Sequence, residues 1–119
     1  MKDFRTLKVW EKAHALTLAV YQAASNFPKQ ETYGITSQIQ RAAVSIPTNI
    51  AEGCGKDSDP ELKRFFVIAM GSSSELEYLL LLARDLCYLP EDKYDSLQNE
   101  LVEVRRMLNS FIQRLKANS

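Results

Sequence analysis

The most constraining feature of this chain is a run near its end in which Leu97, Leu101, Val104, Leu108, Phe111 and Leu115 alternate steps of four and three. At 3.6 residues per turn that spacing puts every apolar side chain on one stripe of an α-helix, whereas a β pleat, with its period of two, would scatter them over both faces. Such a stripe must be hidden from water, so one helix of this kind demands partners. The rest of the sequence supplies them. Val9, Ala13, Leu16, Val20, Ala23 and Phe27 make a first stripe, stopped by Pro28. Ile35, Ile39, Ala43, Ile46 and Ile50 make a second, opened by a cap at Thr36 or Ser37 and ended by Gly53 and Gly55.

A third helix starts at Ser58-Asp59-Pro60-Glu61, which combines a capping box, an early proline and acids at the positive end of the helix dipole. It is expected to reach about Tyr88 through Leu62, Phe65, Phe66, Ala69, Leu76, Leu79, Leu80, Ala83 and Leu86, where Pro90 breaks it and opens the fourth. Short connections favour neighbours packed antiparallel. The expectation is a single all-α domain over residues 1–119, an up-down-up-down antiparallel four-helix bundle. Pro47 lies inside the second helix, removes one hydrogen bond there and costs about 3 kcal/mol unless the site accepts a kink. Ser45, Thr48 and Asn49 are placed to bond the freed backbone groups. The alternative is a three-helix fold in which the second helix dissolves at Pro47.

With 119 residues, 45% hydrophobic and 25% charged, the chain can bury a core without staples. No stretch approaches 18 consecutive apolar residues and the opening Lys2-Asp3-Phe4-Arg5 lacks a signal-peptide core, so a cytoplasmic protein without membrane contact is expected. Cys54 and Cys87 show no metal spacing and read as two buried small hydrophobes. There is no HExxH, no glycine-rich phosphate loop and no Cys/His cluster, and the sole histidine, His14, sits in an apolar stripe. Neither enzyme nor cofactor is expected. Acid–base work by Glu52 or Glu75 with Arg41 is the weakest of the readings.

Apolar surface is in surplus. Trp10, His14, Leu18 and Tyr21 form a second stripe on the first helix, about 100° from the core seam. Leu79-Leu80-Leu81-Leu82 cannot all point one way. A wide core with scattered exposed residues accounts for both. The sharper reading makes Trp10, Leu18, Tyr21 and Leu81 an oligomer interface.

On the second helix Gln38, Arg41, Ser45, Asn49 and Glu52 line one polar face. As a solvated face it does nothing but hold Arg41 to a carboxylate. As a contact face it offers a planar guanidinium fork and two amides to phosphate or carboxylate.

The run Tyr33-Gly34-Ile35-Thr36-Ser37-Gln38-Ile39-Gln40-Arg41-Ala42-Ala43-Val44-Ser45-Ile46-Pro47-Thr48-Asn49-Ile50-Ala51-Glu52-Gly53 resembles the signature of the four-helix bundle proteins encoded in 23S ribosomal RNA intervening sequences. Leu7-Lys8-Val9-Trp10-Glu11-Lys12-Ala13 and Ile68-Ala69-Met70-Gly71-Ser72-Ser73-Ser74-Glu75-Leu76 are similar to that family's flanking segments. The resemblance implies a bundle assembling into a ring, a homopentamer, without known enzymatic activity. It also implies kinship with the accessory protein of diversity-generating retroelements, a basic pentamer that binds nucleic acid and a reverse transcriptase. This chain differs from that basic type in its net charge of zero.

Zero net charge removes the simplest argument for a polyanion partner, yet an up-down-up-down topology divides the charges. One end collects eleven basic residues against six acidic ones, among them Lys8, Lys12, Lys63, Arg64, Arg105, Arg106, Arg114 and Lys116. The other takes four basic against nine acidic. Stacked in a ring, these ends give a basic rim that can steer RNA or DNA. Two functions therefore compete: a homo-oligomeric, nucleic-acid-associated or scaffold protein, and a protein–protein assembly factor that binds no nucleic acid.

Overall fold

Residues 2–117, the part of the chain that the computed structural model describes, form four α-helices: α1 (Lys8–Ala24), α2 (Ile35–Cys54), α3 (Asp59–Asp85) and α4 (Glu91–Ala117). A single 3-10 turn at Phe4–Thr6 precedes them and another, Lys29–Glu31, joins α1 to α2. No strand occurs among the described residues.

The stripes read from the sequence are the buried ones, except that Phe65 is only half-buried and Leu86, just past the end of α3, is 44% exposed, with further local shifts at the ends. α1 buries Val9, Ala13, Leu16, Val20 and Ala24, so Ala24 takes the place expected of Ala23. The helix stops four residues before Pro28, because the residue before a proline is pushed out of the helical region and the chain unwinds ahead of it. Phe27 reaches the core from that turn, its ring 5.8 Å from Tyr88. In α4, Ile112 is buried and Phe111 lies half out, 4.8 Å from the ring of Phe66.

α2 corrects two expectations. Its N-cap is Gly34, with no side-chain cap, and the Thr36 hydroxyl is buried without a hydrogen-bond partner. Its end lies beyond Gly53, which is buried inside the helix, and Gly55 is the cap. A Cβ on Gly53 would sit 3.0 Å from Phe65 Cβ and 3.3 Å from the Leu62 carbonyl, so this glycine lets α2 approach the start of α3.

Pro47 does not interrupt α2, which rules out the three-helix alternative. Without an N–H at position 47, the Ala43 carbonyl loses its helical donor. The replacement comes from another helix. The buried Thr17 hydroxyl lies 2.8 Å from Ala13 O and 3.2 Å from Ala43 O, so its single proton serves both carbonyls. The residues expected to do this act elsewhere: Thr48 Oγ1 donates to Val44 O and Asn49 Nδ2 to Ser45 O.

α3 begins as its sequence says, with the Ser58 hydroxyl accepting from Glu61 N. It ends at Asp85, three residues short of Tyr88. Cys87 N donates to Arg84 O and Tyr88 N to Ala83 O, the paired bonds of a Schellman ending. That ending needs a left-handed residue, and Cys87 adopts it at φ 65°. Cys87 is consequently exposed, against the reading of both cysteines as buried; only Cys54 is, and both are free thiols.

α2 and α3 share the largest contact, α3 also touches α4, and α1 touches α2 and α4. The diagonal pairs, α1 with α3 and α2 with α4, do not approach each other. Lys2 N donates to Cys54 O, so the chain start lies beside the end of α2. Tyr88, just after α3, donates to Glu31, just before α2. The body measures 45 × 23 × 20 Å, and its length matches the roughly 40 Å expected of a 27-residue helix such as α3 or α4. α3 holds an 18-residue window with mean hydropathy 1.4, the one helix among the described residues long and apolar enough to cross a membrane. Its core stripe packs between α2 and α4.

Candidate functional site

Three surfaces carry the residues singled out by sequence. On the polar face of α2, Ser45 and Asn49 are half-buried and already engaged. Ser45 Oγ lies 2.7 Å from Ser72 Oγ on α3, and Asn49 Nδ2 reaches Ser45 Oγ at 3.0 Å. These two residues knit α2 to α3. Gln38, Arg41 and Glu52 remain exposed beside them, and none of their side chains has a hydrogen-bond or ion-pair partner among the described residues.

The basic residues do not form one patch. Lys8, Arg106 and Arg114 converge on a groove of about 440 Å³ between the start of α1 and the end of α4, floored by Leu7, Val9, Met107 and Phe111. The Arg114 guanidinium stacks on the Phe111 ring at 4.9 Å, while Arg106 pairs with Glu103. Lys12 lies in a neighbouring groove with Glu100 and Glu103. Arg105 leaves the basic end altogether, bonding Glu77 at 3.0 Å and Ser74 at 3.2 Å on α3. Arg105 and Arg106 are thus held by Glu77 and Glu103, because in mid-helix a guanidinium reaches sideways to the nearest carboxylate. Lys63 and Arg64 sit at the start of α3, with Arg64 over the Phe65 ring at 4.9 Å. Lys116 lies in the last turn of α4.

The apolar candidates are split between two helices that do not touch. Leu18 is 58% exposed and Tyr21 43%, both on α1. Trp10 is half-buried, edge-on to Phe4 and stacked on His14 with centroids 4.9 Å apart in each case. It anchors the opening turn. Leu81 is half-buried in a groove between α3 and α4 with Tyr78, Tyr94 and Gln98.

Few groups are electrostatically perturbed. Burial pushes the Cys54 thiol up. The hydrogen bond to Glu31 raises the Tyr88 phenol. The Arg5 backbone N–H and then its side chain hold Asp3 below the usual carboxylate range. No set of three His, Cys, Asp or Glu side chains among the described residues could hold a metal ion.

A helical body of this size with its signature laid along α2 can be compared with known proteins. Residues 5–110 match the family model of the 23S rRNA-intervening sequence proteins. The chain belongs to that family. It is also similar to the crystal structure of a protein of unknown function from the S23 ribosomal protein family of Bacteroides thetaiotaomicron. The two share 27% identity with a TM-score of 0.79, over 87% of this chain and 97% of the other. No curated protein matches it.

What sequence reasoning missed here is Thr17 and Ser72. Thr17 could have been found from Pro47, since a proline in a buried helix leaves a carbonyl that some neighbour must satisfy.

Proposed function

We propose that this 23S rRNA-intervening sequence protein is a non-enzymatic, cytoplasmic, homo-oligomeric bundle that associates with nucleic acid, or scaffolds around it, through the groove at its basic end. The subunit is an up-down-up-down antiparallel bundle bent at Pro47, and the assembly is a ring of five, as the resemblance implies. Lys2 beside Cys54, and Tyr88 beside Glu31, support the antiparallel order. The observation that carries the function is the convergence of Lys8 and Arg114 on a groove with an apolar floor. Such a groove offers cations for phosphates and apolar side chains for a ribose.

The exposed Leu18 and Tyr21 support self-association, since apolar side chains grouped on one helix face mark contact surfaces. Electrophoretic mobility shift with structured RNA and DNA, at low and moderate salt, tests the nucleic-acid role. Lys8→Glu with Arg114→Glu is expected to weaken binding at least about tenfold and flatten its salt dependence. Absence of any shift at low salt removes the proposal.

A further inference from the structure

Besides Asp59, Glu61 and Lys63 in the first turns of α3, four charged residues of α2 and α3 have no ion pair among the described residues, and these four make an alternating pattern. Arg41 and Glu52 stand eleven residues apart on α2, Arg64 and Glu75 eleven apart on α3. Eleven residues is three helical turns to within about 20°, so each pair shares one face of its helix. All four are exposed, and none has an ion-pair partner among the described residues. By contrast Arg5, Arg84, Arg105 and Arg106 each hold a carboxylate.

The Ser45–Ser72 contact sets the level of α2 against α3. With the helices running in opposite senses and rising about 1.5 Å per residue, Arg41 lies about 6 Å from that contact toward one end and Glu75 about 4.5 Å toward the same end. Glu52 lies about 10.5 Å toward the other end, and Arg64 about 12 Å. Each level thus holds one cation and one anion on different helices, and the order reverses between levels. Around this frame lie Val44, 39% exposed, and Ile68, 39% exposed, with Gly71 beside them, whose added Cβ would meet nothing within 4 Å. Gly71 leaves that turn of α3 without a side chain.

We infer that this α2/α3 face is where a second copy of the chain docks, with α2 of one subunit against α3 of its neighbour. Subunits of a ring whose axis follows the helices sit side by side at equal height. Arg41 of one copy then meets Glu75 of the next, Glu52 meets Arg64, and Val44 and Thr48 fall at the level of Ile68 and Gly71. The contact is head-to-tail, α2 of one copy being complementary in charge to α3 of the next, so it can repeat around a ring. This rests on the homo-oligomeric reading above and adds a second contact surface to the Leu18 and Tyr21 face of α1 named there.

Charge reversal on the full chain tests it, read by size-exclusion chromatography with light scattering at micromolar concentration. Arg41→Glu and Glu75→Arg are each expected to weaken assembly at least about tenfold, moving the mass toward the 13.5 kDa monomer, while circular dichroism stays helical. Combining Arg41→Glu with Glu75→Arg restores the assembly, and combining Arg41→Glu with Glu52→Arg does not. An oligomer indifferent to the single reversals, or one rescued by Glu52→Arg instead, overturns the inference and leaves the oligomeric reading standing. A monomeric wild type overturns both.

Discussion

Thr17 and Pro47 are the pair of residues on which α2 depends. The proline frees the Ala43 carbonyl and the Thr17 hydroxyl answers it at 3.2 Å from the neighbouring helix. Thr17→Val is expected to cost about 1–3 kcal/mol in urea denaturation, the cost of a buried acceptor left alone. In a Pro47→Ala background the loss shrinks, because residue 47 then supplies its own N–H. The two cysteines should separate by chemistry: in the native protein a thiol reagent titrates Cys87 alone, and Cys54 only after denaturation. Cys87→Gly is expected to raise stability by about 1 kcal/mol, since φ 65° strains any residue with a Cβ. The raised Cys54 thiol and Tyr88 phenol both favour the neutral form in the folded state. Their contributions are whole below the ordinary thiol and phenol ranges and fade as pH rises through the folded values. Melting temperature should accordingly fall on the alkaline side. Asp3 works the other way, its contribution fading on acidification below the carboxylate range.

Among the elements, the two glycines inside helices give opposite answers to the same substitution. Gly71→Ala should stabilise the isolated subunit by about 1 kcal/mol, the helix-propensity difference, because within the subunit a Cβ there meets nothing. Gly53→Ala should gain nothing, because its Cβ presses on Phe65 and the Leu62 backbone. Equilibrium denaturation of the two variants checks this contrast. Ile46→Ala, at a fully buried position of α2, is expected to cost about 2–5 kcal/mol. The helix interiors were legible because burial repeats every three or four residues. The ends were not: α1 stops at Ala24 and α3 at Asp85 because hydrogen-bonded turns close them, and no residue type announces a Schellman ending built on cysteine.

At the scale of the whole molecule, Leu18 and Tyr21 should matter for assembly and little for the fold. Leu18→Ser with Tyr21→Ser is expected to change subunit stability by no more than about 0.5 kcal/mol per site, while lowering the mass seen by light scattering. Trp10→Ala, in contrast, should loosen the opening turn, since Phe4 and His14 both lean on that indole. Proteolysis near residues 2–7 reports on it. The candidate basic end was partly legible. Lys8 and Arg114 do share a groove, but Arg105 and Arg106 are taken by Glu77 and Glu103, and a charge count along the chain cannot see which carboxylate lies nearest.

By itself the sequence determined the four helices, the seams they bury and the family to which they belong, because helical periodicity and a long signature are local properties of the chain. The tertiary structure decided which helices are neighbours, that Thr17 sustains α2 at Pro47, and that Arg41, Glu52, Arg64 and Glu75 stay unpaired on one face. Those facts depend on distances between residues far apart in sequence, which only packing sets.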